Sequence, residues 1–189
     1  MSFARWNLFD RWRARRERKA RVEYIHGEIV AAARAPELFA AFLAPDDLDG
    51  RFEMVVLHAG LVLRRLGEFG EPGQPLAQDV VDRLFEGFDD ALRELSISPD
   101  AVAKRVRKFA EAFFGRSAVY QAALDAGNAR SLAEALARNV YRGQIGAEAL
   151  GPRMLAERTL ALARAFEAID LQTFLEGRFH YPLGQGGMK

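Results

Sequence analysis

Cysteine is absent from this chain of 189 residues, and histidine occurs only three times. Without cysteine there is no disulfide framework, no thiolate metal site and no cysteine nucleophile, so a reducing compartment is compatible with the chain but not required. Long apolar runs are missing too, because the longest nearly uncharged run, residues 54–63, is about half of what crosses a bilayer. We therefore expect no transmembrane helix.

Motifs for catalysis and cofactor binding are also missing. The chain has no phosphate-binding Gly-x-x-x-x-Gly-Lys loop and no Gly-x-Ser-x-Gly elbow. A di-iron bundle needs two Glu-x-x-His units, and only residues 23–26 supply one. The acidic segment 46–50 is similar to a calcium loop, but the register that fits its glycine puts proline and valine at ligand positions. We predict a protein without catalytic residues, metal or cofactor.

The chain has the composition of a folded domain. Half of its residues are hydrophobic and 28% are charged, and its length is sufficient to bury a sizeable core. Apolar residues recur at helical spacing, without convincing strand alternation, between Pro, Gly and capping residues. We predict an all-α fold, a compact bundle of seven to eight helices with a basic aromatic N-terminal arm. The predicted helices cover residues 22–35, 37–43, 50–66, 76–95, 99–124, 131–140 and 154–169, with a short turn after Asp170.

Several residues predict where these helices begin and end. Ser98, followed by Pro and Asp, is a candidate N-cap, and Ser131 with Glu134 fits a capping box. Asp170 is a candidate cap of the last short turn. Gly127 is expected to stop the preceding long helix, since glycine adopts the left-handed conformation of a helix end.

The segment 50–66, GRFEMVVLHAGLVLRRL, is apolar on nearly every face and charged only at its ends. It predicts a central helix packed on all sides. His58 in its middle is interpreted as a core residue satisfied by one hydrogen bond, with a catalytic base as the alternative. Arg51 and Glu53 are interpreted as structural ion-pair partners rather than as acid and base.

The first 23 residues carry eight Arg and Lys against three Asp and Glu, whereas the chain as a whole has a net charge of +1. This region also contains both tryptophans but no secretory signal. Arginines interleaved with aromatic rings are typical of a membrane interface, while RNA binding, simple packing or disorder are the alternatives. The candidate membrane-surface residues are Phe3, Trp6, Phe9, Arg11, Trp12, Arg13 and Arg16.

A second basic segment, KRVRK at residues 104–108, lies within a predicted helix. It is either a solvated helix face or a contact for an acidic partner or RNA phosphate. By domain, we predict a basic amphipathic arm over residues 1–21, a helical domain over 22–180 and a flexible glycine-rich tail over 181–189.

Several blocks occur in order along the chain: GRFEMVVLH, RRL, LFEGFDDALRELSI and VAKRVRKFAEAFFGR, with Ala33-Arg34 ahead of the first proline and Tyr120 after the last block. In these blocks the chain resembles the ubiquinol-cytochrome c chaperone family, over about residues 24–141. It departs from the family pattern in the loops at 43–46 and 96–100. The similarity thins after Arg142, and the arm is outside it.

The resemblance implies a non-enzymatic assembly chaperone that binds newly made cytochrome b during biogenesis of the ubiquinol-cytochrome c reductase (bc1) complex. It implies cytochrome b as a partner, with a small partner protein and the ribosome as further candidates, and no DNA. An RNA- or ribosome-binding adaptor that uses the arm and residues 104–108 is the alternative. The short chain favours a bacterial protein, cytoplasmic and peripheral to the inner membrane at an anionic surface, over one of the mitochondrial matrix.

Candidate residues for this function fall into two groups. An exposed apolar groove between the central helix and its neighbours is expected to accompany them. The client- or partner-binding candidates are Arg51, Glu53, Arg64, Arg65, Lys104, Arg105, Lys108, Arg116 and Tyr120. The structural residues of the family pattern are Gly50, Phe52, His58, Leu66 and Gly115.

Overall fold

The computed structural model describes residues 3–94 and 98–182, with side chains from residue 10 onwards. Within these residues it contains helices and no strand, which confirms the all-α prediction. The described helices number eight, as many as the upper end of the expected range. They are α1 (Phe3–Ala33), α2 (Pro36–Ala40), α3 (Leu48–Glu68), α4 (Gln74–Glu94), α5 (Pro99–Asp125), α6 (Ala129–Asn139), α7 (Leu150–Phe166) and α8 (Leu171–Leu175).

The helix α3 lies at the centre of the bundle, in contact with α1, α4, α5 and α7. Its apolar residues on nearly every face are buried between these neighbours, as the segment 50–66 predicts. At its start the ring of Phe52 stacks on Phe109 of α5, with 4.2 Å between the ring centroids, and meets Phe88 of α4 edge-on at 5.2 Å. These aromatic contacts fix where α4 and α5 pack on α3.

The helix α1 is continuous and includes the predicted arm. Residues 10–20 are exposed, and burial begins at Arg21 and Val22. Apolar residues are not gathered on one face over the whole of α1. The division into an arm and a helical domain stays a prediction.

Two ion pairs show how α1 lies on α4. Arg18 binds Asp79 through both carboxylate oxygens, and Arg83 binds Glu23 at 2.6 Å and 3.0 Å. Since both partners advance together along the sequence, the two helices run parallel. Arg15 lines the same groove as Asp79 and Asp82, so the exposed part of α1 runs alongside α4 at least from residue 15.

The tail is predicted to begin at residue 181, but residues 181 and 182 are still part of the described structure. Tyr181 is buried, its ring lies 5.2 Å from that of Phe166, and its backbone N–H donates to Glu28 at 2.7 Å. Residues 183–189, most of the predicted tail, lie outside the described residues.

Two of the predicted helix ends are confirmed. Gly127 follows the end of α5 with φ +59°, in the left-handed region that favours glycine. Asp170 caps α8, because its carboxylate accepts a hydrogen bond from the backbone N–H of Thr173 at 2.7 Å.

Two predicted caps are wrong in their chemistry. The residue that caps α6 is Asn128, whose side chain accepts the N–H of Ser131 at 3.0 Å, so the capping box on Ser131 does not form. Asparagine and serine are comparable caps, and their spacing alone could not decide between them. Ser98 precedes α5, but its side chain accepts no capping hydrogen bond.

No described helix combines the length and the hydropathy that crossing a bilayer requires. Among the residues that the structure describes, no group of three or more His, Asp or Glu is placed to hold a metal ion.

Candidate binding surfaces

The chain enters α3 through a tight contact with the preceding loop. A Cβ on Gly50 would lie 1.9 Å from the carbonyl oxygen of Pro45, so only glycine fits there. The carboxylate of Asp47 accepts the N–H of Gly50 at 2.8 Å and caps the helix. This contact gives a packing reason for the glycine at position 50.

The charged residues at the start of α3 form ion pairs, but Arg51 and Glu53 do not pair with each other as expected. Arg51 binds Asp46 at 2.7 Å, and Arg105 of α5 lies 3.7 Å from Asp49. Successive residues of a helix point in different directions, so Glu53 faces α5 while Arg51 faces solvent.

Glu53 is a buried carboxylate with a single partner. Its Oε1 lies 2.7 Å from Nη2 of Arg116, while its Oε2 and the Nε of Arg116 have no hydrogen-bond partner within the described residues. Burial raises the pKa of Glu53 to about 7, and the attraction of Arg116 opposes this only in part. Burial also raises the pKa of the neighbouring Tyr120, whose hydroxyl accepts a hydrogen bond from Asn139 at 3.1 Å.

His58 lies in the core, 2% exposed. Its Nδ1 donates to the carbonyl oxygen of Met54 at 2.8 Å, which is the single hydrogen bond expected of a structural histidine. Burial lowers the pKa of His58 to about 4. The ring is therefore neutral at pH 7, and it packs 5.4 Å from the ring of Tyr181.

At the other end of α3, Arg64 and Arg65 are occupied by contacts within the chain. Arg65 donates to the carbonyl oxygens of Ile169 at 2.8 Å and Glu167 at 3.0 Å, and it pairs with Glu68. Arg64 pairs with Glu68 as well and also with Asp125 of α5. As binding residues they remain a prediction, and their contacts hold α3 to α5 and to the end of α7.

The basic segment of α5 divides into an exposed and a packed part. Lys104, Arg107 and Lys108 are exposed, whereas Arg105 is drawn towards Asp49 and Val106 packs against the core. Further along α5, Gly115 is exposed and has open space where a Cβ would stand, so packing gives no reason for glycine there.

Two other groups of candidates can be placed. Of the family-pattern residues, Phe52 and Leu66 are buried in the core. Of the membrane-surface candidates, Arg11, Arg13 and Arg16 are exposed on α1; Trp12 is exposed too, with the Arg16 guanidinium 5.6 Å from its ring centroid. The candidates Phe3, Trp6 and Phe9 lie outside the residues with described side chains.

An apolar groove is expected beside the central helix, and a shallow open cleft lies there between α3 and α4, with two glutamines among its lining residues. Its volume is about 560 Å³. One turn beyond Val81, the ring of Phe85 lies 6.2 Å from that of Phe114, which is 57% exposed. The residues that line the cleft are uncharged: Leu63, Gln74, Pro75, Ala77, Gln78 and Val81.

A second apolar surface lies where the loop after α2 meets the loop before α7. It consists of Leu43 and Leu150, which are 58% and 59% exposed, and we call it the loop patch. No sequence pattern predicts this surface. The spacing predicts Leu43 at the end of the helix 37–43, whereas it lies in the loop after α2. Leu150 is the first residue of α7, four residues before the predicted start of that helix.

The two loops are joined by close backbone contacts. The hydroxyl of Tyr141 donates to the carbonyl oxygen of Phe42 at 2.5 Å, and a Cβ on Gly151 would lie 2.6 Å from the same oxygen. Leu43 and Leu150 follow and precede these contacting residues. Their Cα atoms therefore lie within about 11 Å of each other, given the spacing of consecutive residues.

The sequence model of the family described as ubiquinol-cytochrome C chaperone matches residues 40–181. The chain belongs to this family. Among solved structures, the Cbp3 homolog from Brucella abortus is similar, with 35% identity and a TM-score of 0.80 over 93% of this chain and 95% of that one. No curated protein matches.

The matched residues differ at both ends from the range of about 24–141 over which the sequence blocks resemble the family. The C-terminal third, where the resemblance thins, is part of the family up to residue 181, and Ala33-Arg34 lies before the matched residues. The family region thus includes α6, α7 and α8. It also includes the whole loop patch.

Proposed function

We propose that this protein is a non-enzymatic assembly chaperone that binds newly made cytochrome b during biogenesis of the bc1 complex. The observation that carries the proposal is the family match over residues 40–181. The similarity to the Cbp3 homolog from Brucella abortus over nearly the whole of both chains supports it.

The described surface is suited to an apolar client. It has an uncharged cleft between α3 and α4 and a separate loop patch with exposed leucines. Exposed apolar side chains that are grouped in this way are typical of interaction sites. The buried Glu53 and His58 and the half-buried Arg116, by contrast, make contacts that suit a structural role.

Capture of cytochrome b during its synthesis tests the proposal. The tagged protein is crosslinked in cells that are synthesising cytochrome b, purified, and probed for that subunit. We expect cytochrome b to be enriched over a second polytopic membrane protein that serves as the control. Equal recovery of both proteins, or of neither, would reject cytochrome b as the client.

The place of action and the further partners belong to the same proposal. We expect the basic residues of α1 to hold the protein at the anionic inner surface of the membrane, because each cation there contributes roughly 1 kcal/mol of attraction. Reversing the charge of Arg11, Arg13 and Arg16 should reduce flotation with anionic liposomes, while the same change at Arg130, an exposed cation of α6, serves as the control. Unchanged flotation would remove the membrane role of the arm.

A small partner protein and the ribosome are also proposed as contacts, with Lys104 and Lys108 as the exposed cations that would meet RNA phosphate. Charge reversal at these two lysines should reduce salt-sensitive co-sedimentation with ribosomes. If co-sedimentation is insensitive to salt and to both substitutions, ribosome contact through α5 is rejected.

A further inference from the structure

The chain after α8 is a short extended segment that packs into the bundle, and we call residues 179–182 the strap. It comes just after Gly177, whose φ of +65° ends α8 in the left-handed conformation that favours glycine. Along the strap the side chains alternate, since Phe179 and Tyr181 are buried whereas His180 is exposed. This alternation is typical of an extended chain that lays one face on an apolar surface.

The strap fills a groove whose walls are largely aromatic. The ring of Phe179 stacks on Phe174 of α8, with 4.7 Å between the centroids, and lies 6.0 Å from the ring of Phe166 of α7. The ring of Tyr181 meets Phe166 as well, and its hydroxyl donates to the carbonyl oxygen of His58 of α3 at 3.3 Å. The groove thus accepts an extended segment with an aromatic side chain at every second position.

Few polar contacts hold the strap in this groove. Among its residues, the only backbone N–H with an acceptor in the described part of the chain is that of Tyr181, which donates to Glu28 of α1 at 2.7 Å. At the outer edge, Nδ1 of His180 lies 3.0 Å from the hydroxyl of Tyr24. Because the strap lies beyond α8 and is not part of a helix, rotation of the backbone next to Gly177 would release it without breaking a helical hydrogen bond.

The strap itself shows what kind of ligand the groove holds, namely an extended apolar segment with aromatic side chains. Membrane-spanning segments are apolar, with aromatic residues near their ends, so a membrane protein that is not yet folded offers segments of this kind. When no such segment is bound, the burial of Phe179 and Tyr181 keeps the groove from water and from unspecific association.

We propose that the strap occupies the client site of this protein, and that an extended apolar segment of the client displaces it from the groove between α1, α3 and α7. This rests on the proposed function, since it names the site at which a chaperone of this family would hold a membrane-protein client. Glu28 is then the latch of the strap. A second copy of this chain that inserts its own strap would be a different occupant.

Opening of the strap is measured first, in the full chain without any client. We expect the Tyr181 amide to exchange its hydrogen about a hundredfold faster than the helical amides of α3, because the strap opens while the helices stay folded. Exchange of both at the same rate would mean that the strap leaves only on global unfolding, and this would overturn the proposal.

A reversible crosslink then tests displacement. Because the chain has no cysteine, Tyr24→Cys with His180→Cys gives a unique pair across the strap, which a short bis-thiosulfonate reagent joins and a reductant releases. We expect the joined protein to bind purified cytochrome b in detergent at least about tenfold more weakly than the same protein after reduction. The control pair is Arg130→Cys with Glu148→Cys, just before α7 and far along that helix from the strap, and its crosslink should leave binding unchanged.

Weakening the latch should have the opposite effect. Glu28→Ala removes the acceptor of the Tyr181 N–H but leaves every aromatic ring of the groove in place. The fraction of open protein, and with it the apparent affinity for cytochrome b, should rise by about tenfold. Glu23→Ala removes a carboxylate of the same helix that pairs with Arg83 instead, and it is the matched control. A strap that only completes the core predicts no gain in affinity from Glu28→Ala.

Three further results would overturn the proposal. They are equal binding by the joined and the reduced protein, an equal loss with the control crosslink, and a concentration-dependent dimer that the crosslink across the strap abolishes. Failure of the reduced protein to bind cytochrome b would reject the proposed function instead. A labelled peptide of residues 177–182 then still decides whether the groove exchanges its occupant, since it should bind the reduced protein and not the joined one.

Discussion

The two ends of α3 both carry charged side chains, but the charges have different surroundings. At the end of the helix, the half-buried Arg65 directs its donors to two backbone carbonyls and a carboxylate. Near the start, the buried Glu53 pairs with the half-buried Arg116, yet each keeps a buried polar atom without a partner within the described residues. Arginine and glutamate therefore form a fully hydrogen-bonded contact at the end of α3, which we call the clamp. Near the start of the helix, the pair of Glu53 and Arg116 leaves one polar atom of each residue without a hydrogen bond.

The largest expected effect is the loss of stability when Gly50, at the start of α3, is replaced by alanine. In Gly50→Ala the new methyl would overlap the carbonyl oxygen of Pro45, which is 1.9 Å from the ideal Cβ position. We expect a loss of about 3 kcal/mol or more in the free energy of unfolding, measured by urea denaturation. Gly60→Ala in the same helix has open space and is the matched control, with an expected gain of about 0.5–1 kcal/mol. Equal stability of the two variants would show that the loop at Pro45 can move away.

The next effect is the pH dependence that Glu53 gives to the free energy of unfolding. The folded-state pKa of Glu53 is raised from 4.5 to about 7, so the folded protein binds this proton more tightly than the unfolded chain. The resulting stability is present below about pH 4.5 and is lost as the pH rises towards 7, by about 3 kcal/mol. In Glu53→Gln that loss should disappear, and urea denaturation between about pH 4.5 and 7.5 measures it.

His58 on the same helix has the opposite dependence. Its pKa is lowered from 6.5 to about 4, so its contribution is present above pH 6.5 and is lost as the pH falls towards 4. The two contributions offset each other in the wild type. Glu53→Gln should therefore become less stable as the pH falls, whereas a difference between wild type and variant that is constant with pH would contradict a raised pKa for Glu53.

The smallest effect tests the clamp at the end of α3. Lysine keeps the charge of Arg65 but cannot reach both backbone carbonyls with a planar fork. We expect Arg65→Lys to cost about 1–2 kcal/mol and to speed hydrogen exchange in the segment after α7. Arg64→Lys, which alters only ion pairs between side chains, should cost less than about 1 kcal/mol. If the two variants exchange alike, the carbonyl contacts of Arg65 do not hold this segment.

The sequence was sufficient to predict the elements with strong local signals. The apolar stripe of α4 and the all-round apolar pattern of α3 each produced a helix within two residues of the expected bounds. Gly127 and Asp170 could be predicted as helix ends, because their conformational and capping roles are local.

Features that depend on tertiary neighbours could not be predicted in this way. The partner of Glu53 is 63 residues away on α5, and helical spacing gives no information about which cation faces it. The left-handed backbone at Leu43 carries no sequence signal, since the residue is not the glycine that such a turn favours. The loop patch follows from two loops that meet only in the folded chain.

Because α1 is one continuous helix, the N-terminal region is joined rigidly to the bundle. The helix Phe3–Ala33 passes without a break from its exposed residues into the core, where Ile25 and Ile29 are fully buried. A surface that binds the exposed end would therefore set the orientation of the whole bundle, and with it the direction in which the loop patch faces. Breaking the helix with proline near Lys19 would leave the attachment but release that orientation.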